Sequence, residues 1–222
     1  MDRSSTFVVH FNSALNNQRV YAGYLSAGLS RLGLSHALVN TPNAEGDVHI
    51  CIGPHFAFNE CLGKPTIYID RCLWGDDLDY VTIGWLKPDG GMDYPIDCDD
   101  QRPKPNLWPV KIGQNIITLF DYGMKSHPLA LGACRYHPND KKSELSLEDE
   151  LLRYHVAIGW RSSALATALI KGLHVICYDE RSPVYDYDII GRKQWLNNMS
   201  YAQWSGKEIA SGEALEYVLN NS

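Results

Sequence analysis

An α/β architecture in two halves is predicted by three features of the sequence. Short, continuous apolar runs alternate with longer amphipathic stretches, the pattern of parallel strands joined by helices. A proline- and glycine-rich stretch at 85–113 interrupts the alternation. The alternation then restarts and continues to about residue 180. Each half read this way is Rossmann-like, and the two would face one another across a cleft.

In the first half, 6–11 reads as a strand. Residues 17–32 carry small or apolar residues at Val20, Tyr24, Leu25, Ala27, Gly28, Leu29 and Leu32, a helical stripe with Gly33 as its stop. Further strands are read at 36–39, 47–52 and 66–70, and 56–62 suits a short helix. The connection holds Pro88, Pro95, Pro103, Pro105 and Pro109, too many for a helix or a central strand. The second half offers strands at 115–120, 155–159 and 174–178. Residues 130–136 fit strand or helix equally. Helices are expected at 147–152, with Ser146 as cap, and at 162–171, with Gly172 past its end. The tail at 192–221 reads as two helices, with Trp195 and Trp204 packing on the second half. The division expected is therefore 1–110, 111–190 and a helical tail from 191 to 222.

Bulk composition narrows the function classes. The 222 residues are 45% hydrophobic and 21% charged, an ordinary globular balance. Mean hydropathy is −0.27, and no apolar run approaches the ~20 residues of a membrane span. Phe7-Val8-Val9 is too short for a signal peptide, so a cytoplasmic protein is expected. Net charge is −6, which argues against a broad basic surface. The cysteines at 51, 61, 72, 98, 134 and 177 form no Cys-x-x-Cys pair, so neither a zinc site nor a disulfide framework is expected. Cys51 and Cys177 read as small hydrophobes inside strands.

The segment Ile158-Gly159-Trp160-Arg161-Ser162-Ser163-Ala164 carries the most chemistry. It reads as a buried strand, a tight turn, two hydroxyl residues and an Ala-rich helix. A helix start offers unpaired amides and a positive dipole end to an anion. Ser162, Ser163 and Arg161 would add donors and charge. Equally, Ser162 could simply cap a structural helix. Arg135 and His137, two apart before Pro138, share a face if the segment is extended. Asp121-Tyr122-Gly123 follows the first strand of this half, where open α/β sheets take ligands.

Together these segments resemble the C-terminal domain of GT-B-type glycosyltransferases over about residues 115–180. The Ala168-Leu169-Ile170-Lys171-Gly172-Leu173-His174-Val175-Ile176 run is similar to that pattern, with His174 where proline is usual and Thr167 where many members carry glutamate. Arg192–Trp204, with Glu208-Ile209 and Ser211-Gly212-Glu213, resembles the ending of glycosyltransferases encoded by bacteriophages, as does Ile69–Asp76. The resemblance implies a compact GT-B-like enzyme that moves a sugar from a nucleotide-sugar to a hydroxyl acceptor. It implies donor contacts from Tyr122, Gly123, Arg135, His137, Arg161, Ser162, Ser163 and Thr167. A hydroxymethylated pyrimidine in phage DNA is one acceptor it suggests, and a cell-surface polysaccharide is another.

Sugar transfer needs a stabilised diphosphate leaving group and, for inversion, a base. Asp97-x-Asp99 lies in the proline-rich connection, so no metal is expected at the donor site, and no cofactor beyond the sugar nucleotide. His10 and Asp70 close the first and fourth strands and are the candidate bases. Asn12, Ser13, His55 and Trp74 would line the acceptor side. Arg3, Arg19, Lys64, Arg71 and Lys87 could supply a local basic surface for DNA. A nucleotide- or sugar-nucleotide-binding module without transferase activity is the alternative from another class.

Overall fold

A computed structural model describes residues 4–41, 44–53, 58–74 and 79–221. The chain begins with β1 (Phe7–His10), α1 (Asn16–Arg31), β2 (His36–Val39), β3 (Val48–Ile52), α2 (Phe58–Cys61), β4 (Thr66–Arg71), β5 (Tyr80–Leu86) and β6 (Met92–Asp93). Next come β7 (Ile116–Leu119), β8 (Ala133–Arg135), α3 (Leu147–Leu151), β9 (Val156–Gly159), α4 (Ala164–Ile170) and β10 (His174–Cys177). The chain ends with α5 (Arg192–Ser200), β11 (Gln203–Ser205), α6 (Gly206–Ser211) and α7 (Glu213–Asn220). It forms two compact units, Met1–Tyr94 with Tyr201–Ser222, and Pro95–Ser200. None of the helices is long and apolar enough to cross a membrane among the described residues.

The first unit is built on a sheet ordered β11-β5-β4-β3-β1-β2, with β6 paired to β5. Strands β1 to β4 are parallel, as the apolar runs predict. Strands β5, β6 and β11 add antiparallel pairs, so the sheet is mixed rather than wholly parallel. The expected connection at 85–113 therefore starts too early: β5 runs through Trp85 to Leu86, and the unit closes only after Tyr94. Gly33, at φ +71, ends α1 as expected. One face of the sheet, with Phe7, Val9, Ile50, Ile67 and Ile69, packs with Tyr21, Leu25 and Leu29 of α1 and with Ile209 and Leu215 of the tail.

The tail divides between the units. Helix α5, with its buried Trp195, belongs to the second, while β11, α6 and α7 belong to the first. Trp204 is thus a core residue of the first unit, not a contact of the second half, because β11 pairs with β5. Ser205 caps α6 in a reciprocal box with Glu208, whose carboxylate accepts from the Ser205 amide at 2.7 Å.

Helices α1 and α6 meet at Gly28, where a Cβ would run into the Ile209 carbonyl oxygen and lie 3.1 Å from Leu215 Cδ1. Gly28→Ala gains about 1 kcal/mol of helix propensity. Overpacking against backbone costs about 1–3 kcal/mol and should win. A lower thermal midpoint for Gly28→Ala is the expected result; an unchanged or raised midpoint would contradict this packing.

The second unit is a parallel sheet ordered β10-β9-β7-β8. Ser146 caps α3 as expected, accepting from the Asp149 amide. The ambiguous 130–136 stretch resolves as the short strand β8, because it pairs in parallel with β7. The helix expected at 162–171 is shorter, with Ser163 at its N-cap. Gly172 follows it at φ +83, and a Cβ there would collide with the Pro109 carbonyl.

Candidate functional site

The strand order of the second unit reverses between β7 and β9. Strand β8 lies on one side of β7, and β9 followed by β10 lies on the other. Open parallel sheets take ligands outside the carboxyl ends of their strands at such a reversal. The residues that leave the strands there are Asp121 and Tyr122 after β7, Tyr136 and His137 after β8, Trp160 to Ser163 after β9, and Tyr178 and Asp179 after β10. Aromatic rings form the floor. Phe120 stacks on Tyr136 at 5.1 Å and on Trp160 at 6.1 Å. Trp160 also meets His127 at 4.3 Å and Tyr178 at 5.8 Å.

Asp121 dominates the electrostatics of this edge. One carboxylate oxygen accepts from the Arg161 amide at 2.9 Å, and the Ser162 amide also donates to the group. The other oxygen is buried and has no hydrogen-bond partner among the described residues. Burial pushes the Asp121 carboxyl above the usual carboxylate range. The Arg161 and Ser162 amides and the Arg161 charge oppose that shift, and Asp179 adds to it. Asp179 is itself held below the usual range by its hydrogen bonds from Arg181, at 2.8 and 2.6 Å.

This arrangement corrects the anion cradle expected at Ser162. The Arg161 and Ser162 amides, in the turn before α4, are turned to the chain's own carboxylate. The Ser162 hydroxyl accepts from the Ala164 amide at 3.3 Å and so acts as a local cap. Ser163 makes no side-chain cap bond and is exposed. Arg135 is a second correction. Its guanidinium is bound to Glu150 and to the Leu145 carbonyl, both side chains of the ion pair being largely buried. An arginine so committed is a structural element of the fold. His137 is half-buried and accepts from the Asn139 amide through Nδ1 at 3.2 Å. Tyr122 is 70% exposed, edge-on to the His137 ring at 5.4 Å. Gly123 adopts φ +78, and its amide donates to Asp140 at 2.7 Å. Thr167 is half-buried within α4, and Arg161 is exposed.

The first-unit candidates fare differently from one another. His10 is fully buried, with its ring against His49 and Nδ1 at 3.2 Å from the Thr41 carbonyl. In this arrangement it cannot receive a proton from a substrate hydroxyl, which removes it as a transfer base. Asp70 is exposed at the end of β4, and its Oδ1 accepts from the Arg71 amide at 2.7 Å. Asn12 Oδ1 accepts from the Ala14 amide, and the Ser13 hydroxyl accepts from Asn40. Both serve the turn after β1. Trp74 is half-buried, and His55 and Arg3 lie outside the described residues.

Sequence reading missed Glu150, Trp160 as the centre of the aromatic floor, and the Asp179–Arg181 pair. The strand ends at 160 and 178 were visible in the sequence, but their adjacency depends on the strand order. Comparison of the chain with protein-family models, curated proteins and solved structures finds no match in any of the three.

Proposed function

We propose that the chain is a sugar-nucleotide-dependent glycosyltransferase, acting in the cytoplasm, whose donor binds at the carboxyl edge of the β7–β10 sheet without a metal. Both units, in this reading, are Rossmann-like. The observation that carries it is the strand-order reversal between β7 and β9, which gathers Asp121, Tyr122, Arg161 and Ser163 on one edge. The resemblance of residues 115–180 to GT-B donor domains supports the choice of ligand.

With the Arg161 and Ser162 amides engaged by Asp121 and the Ala164 amide by the Ser162 hydroxyl, side chains have to hold the diphosphate. Arg161 and the Ser163 hydroxyl are the exposed donors beside α4. The Tyr122–His137 pair offers an exposed ring for the base or sugar to lie against. Charge that builds on the departing nucleoside diphosphate would be stabilised by Arg161. Asp70 is the remaining candidate base, able to take the proton of the acceptor hydroxyl.

A panel of sugar nucleotides tests this directly. One member should raise the thermal midpoint, because a ligand that binds only the folded chain stabilises it. The same member should release its nucleoside diphosphate faster when an acceptor is present, and Asp70→Asn should lower that rate without weakening donor binding. No shift with any sugar nucleotide would overturn the proposal. Shift without release, across hydroxymethylated DNA and polysaccharide acceptors, would favour a binding module. If DNA is the acceptor, its affinity should fall steeply with salt as phosphate counterions are released.

A further inference from the structure

Strand alternation assembles a second polar group in the first unit. Phe7 and Val9 of β1, and Val48, Ile50 and Ile52 of β3, belong to the core built with α1. The alternate positions, His10 after Val9 in β1 and His49 and Cys51 in β3, therefore fall on the opposite face of the sheet. The parallel register sets Val8 beside His49 and His10 beside Cys51. Helix α2 brings Cys61 to this group, held by the Thr66 hydroxyl, which donates to the Cys61 carbonyl at 3.0 Å.

Contacts within the group are close. His10 Nε2 lies 2.9 Å from His49 Nδ1, and the rings stack at 5.2 Å. One donor atom from each of His10, His49 and Cys61 lies within 4.8 Å of the others. The Cys61 thiol is hydrogen-bonded to both Cys51 and His10. Exposure is 0% for His10 and Cys51, 1% for Cys61 and 3% for His49. Among the described residues His10, His49 and Cys61 are the one such trio of donors, and Cys51 adjoins it through its contact with Cys61.

We propose that His10, His49, Cys51 and Cys61 form a closed, four-donor site for a borderline-soft divalent cation of the zinc class. Two imidazoles and two thiols are the donor set such a cation prefers, in a tetrahedral arrangement. A tetrahedral site with metal–nitrogen bonds of about 2.0 Å places its two nitrogens about 3.3 Å apart. The imidazoles thus need to separate by only a few tenths of an ångström. The outer contacts suit the role as well. Thr41 offers its carbonyl to His10 Nδ1, so that nitrogen carries the proton and Nε2 keeps its lone pair toward the site. The surrounding strand positions are Val, Ile and Phe, where apolar residues pack at no cost. Two imidazoles placed among them carry a desolvation cost that a bound cation offsets. With all four donors buried, none is left for a substrate. The ion ties β1, β3 and α2 together as a structural element, independently of the donor edge of the other unit.

Uptake converts both thiols to thiolates and releases their protons to solvent. The test uses the full chain stripped with a chelator, then titrated with zinc against a chromophoric competitor. One equivalent should bind, and zinc but not magnesium should raise the thermal midpoint. Cobalt(II) in the unmodified chain should give thiolate-to-metal charge-transfer absorption, a readout independent of any variant's folding. Cys61→Ser and His49→Gln should each weaken zinc binding by about 100-fold or more, since loss of even a supporting partner costs roughly 10–100-fold. Exposed Cys134→Ser should leave it unchanged. Either of two results overturns the site: no stoichiometric zinc or cobalt binding by the unmodified chain, or peptide mapping of freshly purified protein that finds Cys51 joined to Cys61 by a disulfide.

Discussion

Glu150→Ala is expected to destabilise the second unit by about 3–5 kcal/mol, because it strands a buried guanidinium without its counter-charge. The Arg135 and Glu150 side chains are only 12% and 19% exposed. Among the described residues Arg135 has one other partner, the Leu145 carbonyl, which cannot neutralise it. Arg135→Ala should cost a similar amount by stranding the carboxylate. The double variant Arg135→Met with Glu150→Leu should recover most of the loss, since an apolar pair of similar volume avoids the desolvation of both ions. Urea denaturation would measure all four proteins. If Glu150→Ala leaves the midpoint in place and instead tightens sugar-nucleotide binding, Arg135 is a ligand contact held in reserve, and the structural role assigned to it here is wrong.

Asp121→Asn should tighten binding of the sugar nucleotide by roughly tenfold, about 1.4 kcal/mol. A carboxylate about 4 Å from a phosphate repels it by as much as ~4 kcal/mol at the effective dielectric of a protein surface, and solvent at this edge reduces that figure. Asparagine retains an oxygen to accept from the Arg161 amide while removing the charge. The same group makes a pH prediction. Burial raises the folded-state value of Asp121 above its unfolded value. Its contribution to stability is therefore full below the ordinary carboxylate range and is lost as pH rises through the raised value. Over that window the midpoint of the unmodified chain should fall relative to Asp121→Asn, and its anion affinity should fall with it. Arg161, Asp179 and Cys177 share this neighbourhood, so the difference between the two proteins, not either curve alone, is the readout. Weaker binding by Asp121→Asn would instead make Asp121 a direct ligand contact.

Much of the framework was legible before any coordinates. The parallel strands β1 to β4, β7, β9 and β10 appear where short apolar runs predict them, because strands of a parallel sheet draw mainly on apolar residues, even at the edges, where β2 and β10 are only partly buried. Helix α1 stops at Gly33, and α3 starts from Ser146, because caps and stops are local chemistry. Strand β5 escaped notice because Thr82 and Gly84 interrupt its apolar pattern and its pairing is with β4 and β11, the latter more than a hundred residues away. The tail looked like two plain helices for the same reason: β11 is a strand only because β5 accepts it.

Residue types at the site were legible in a way that their partners were not. Ser162 could be read as a cap or as an anion donor, and local sequence offers no means to choose. The strand order decides, since it brings Asp121 to the Arg161 amide across forty residues. Arg135 looked available until α3 placed Glu150 beside it. His10 looked like a base at a strand end, and Cys51 like a small hydrophobe. Register and the position of α2 turn both into members of one buried donor group with His49 and Cys61. Sequence alone determined the helices α1 and α3, most of the parallel strands and which of their ends carry polar groups, because those depend on neighbours within a few residues; β5, β8 and β11 became strands only through their distant partners. Tertiary structure alone decided which of those groups face each other, because burial, charge pairing and metal-donor geometry are properties of side chains that meet in space from distant parts of the chain.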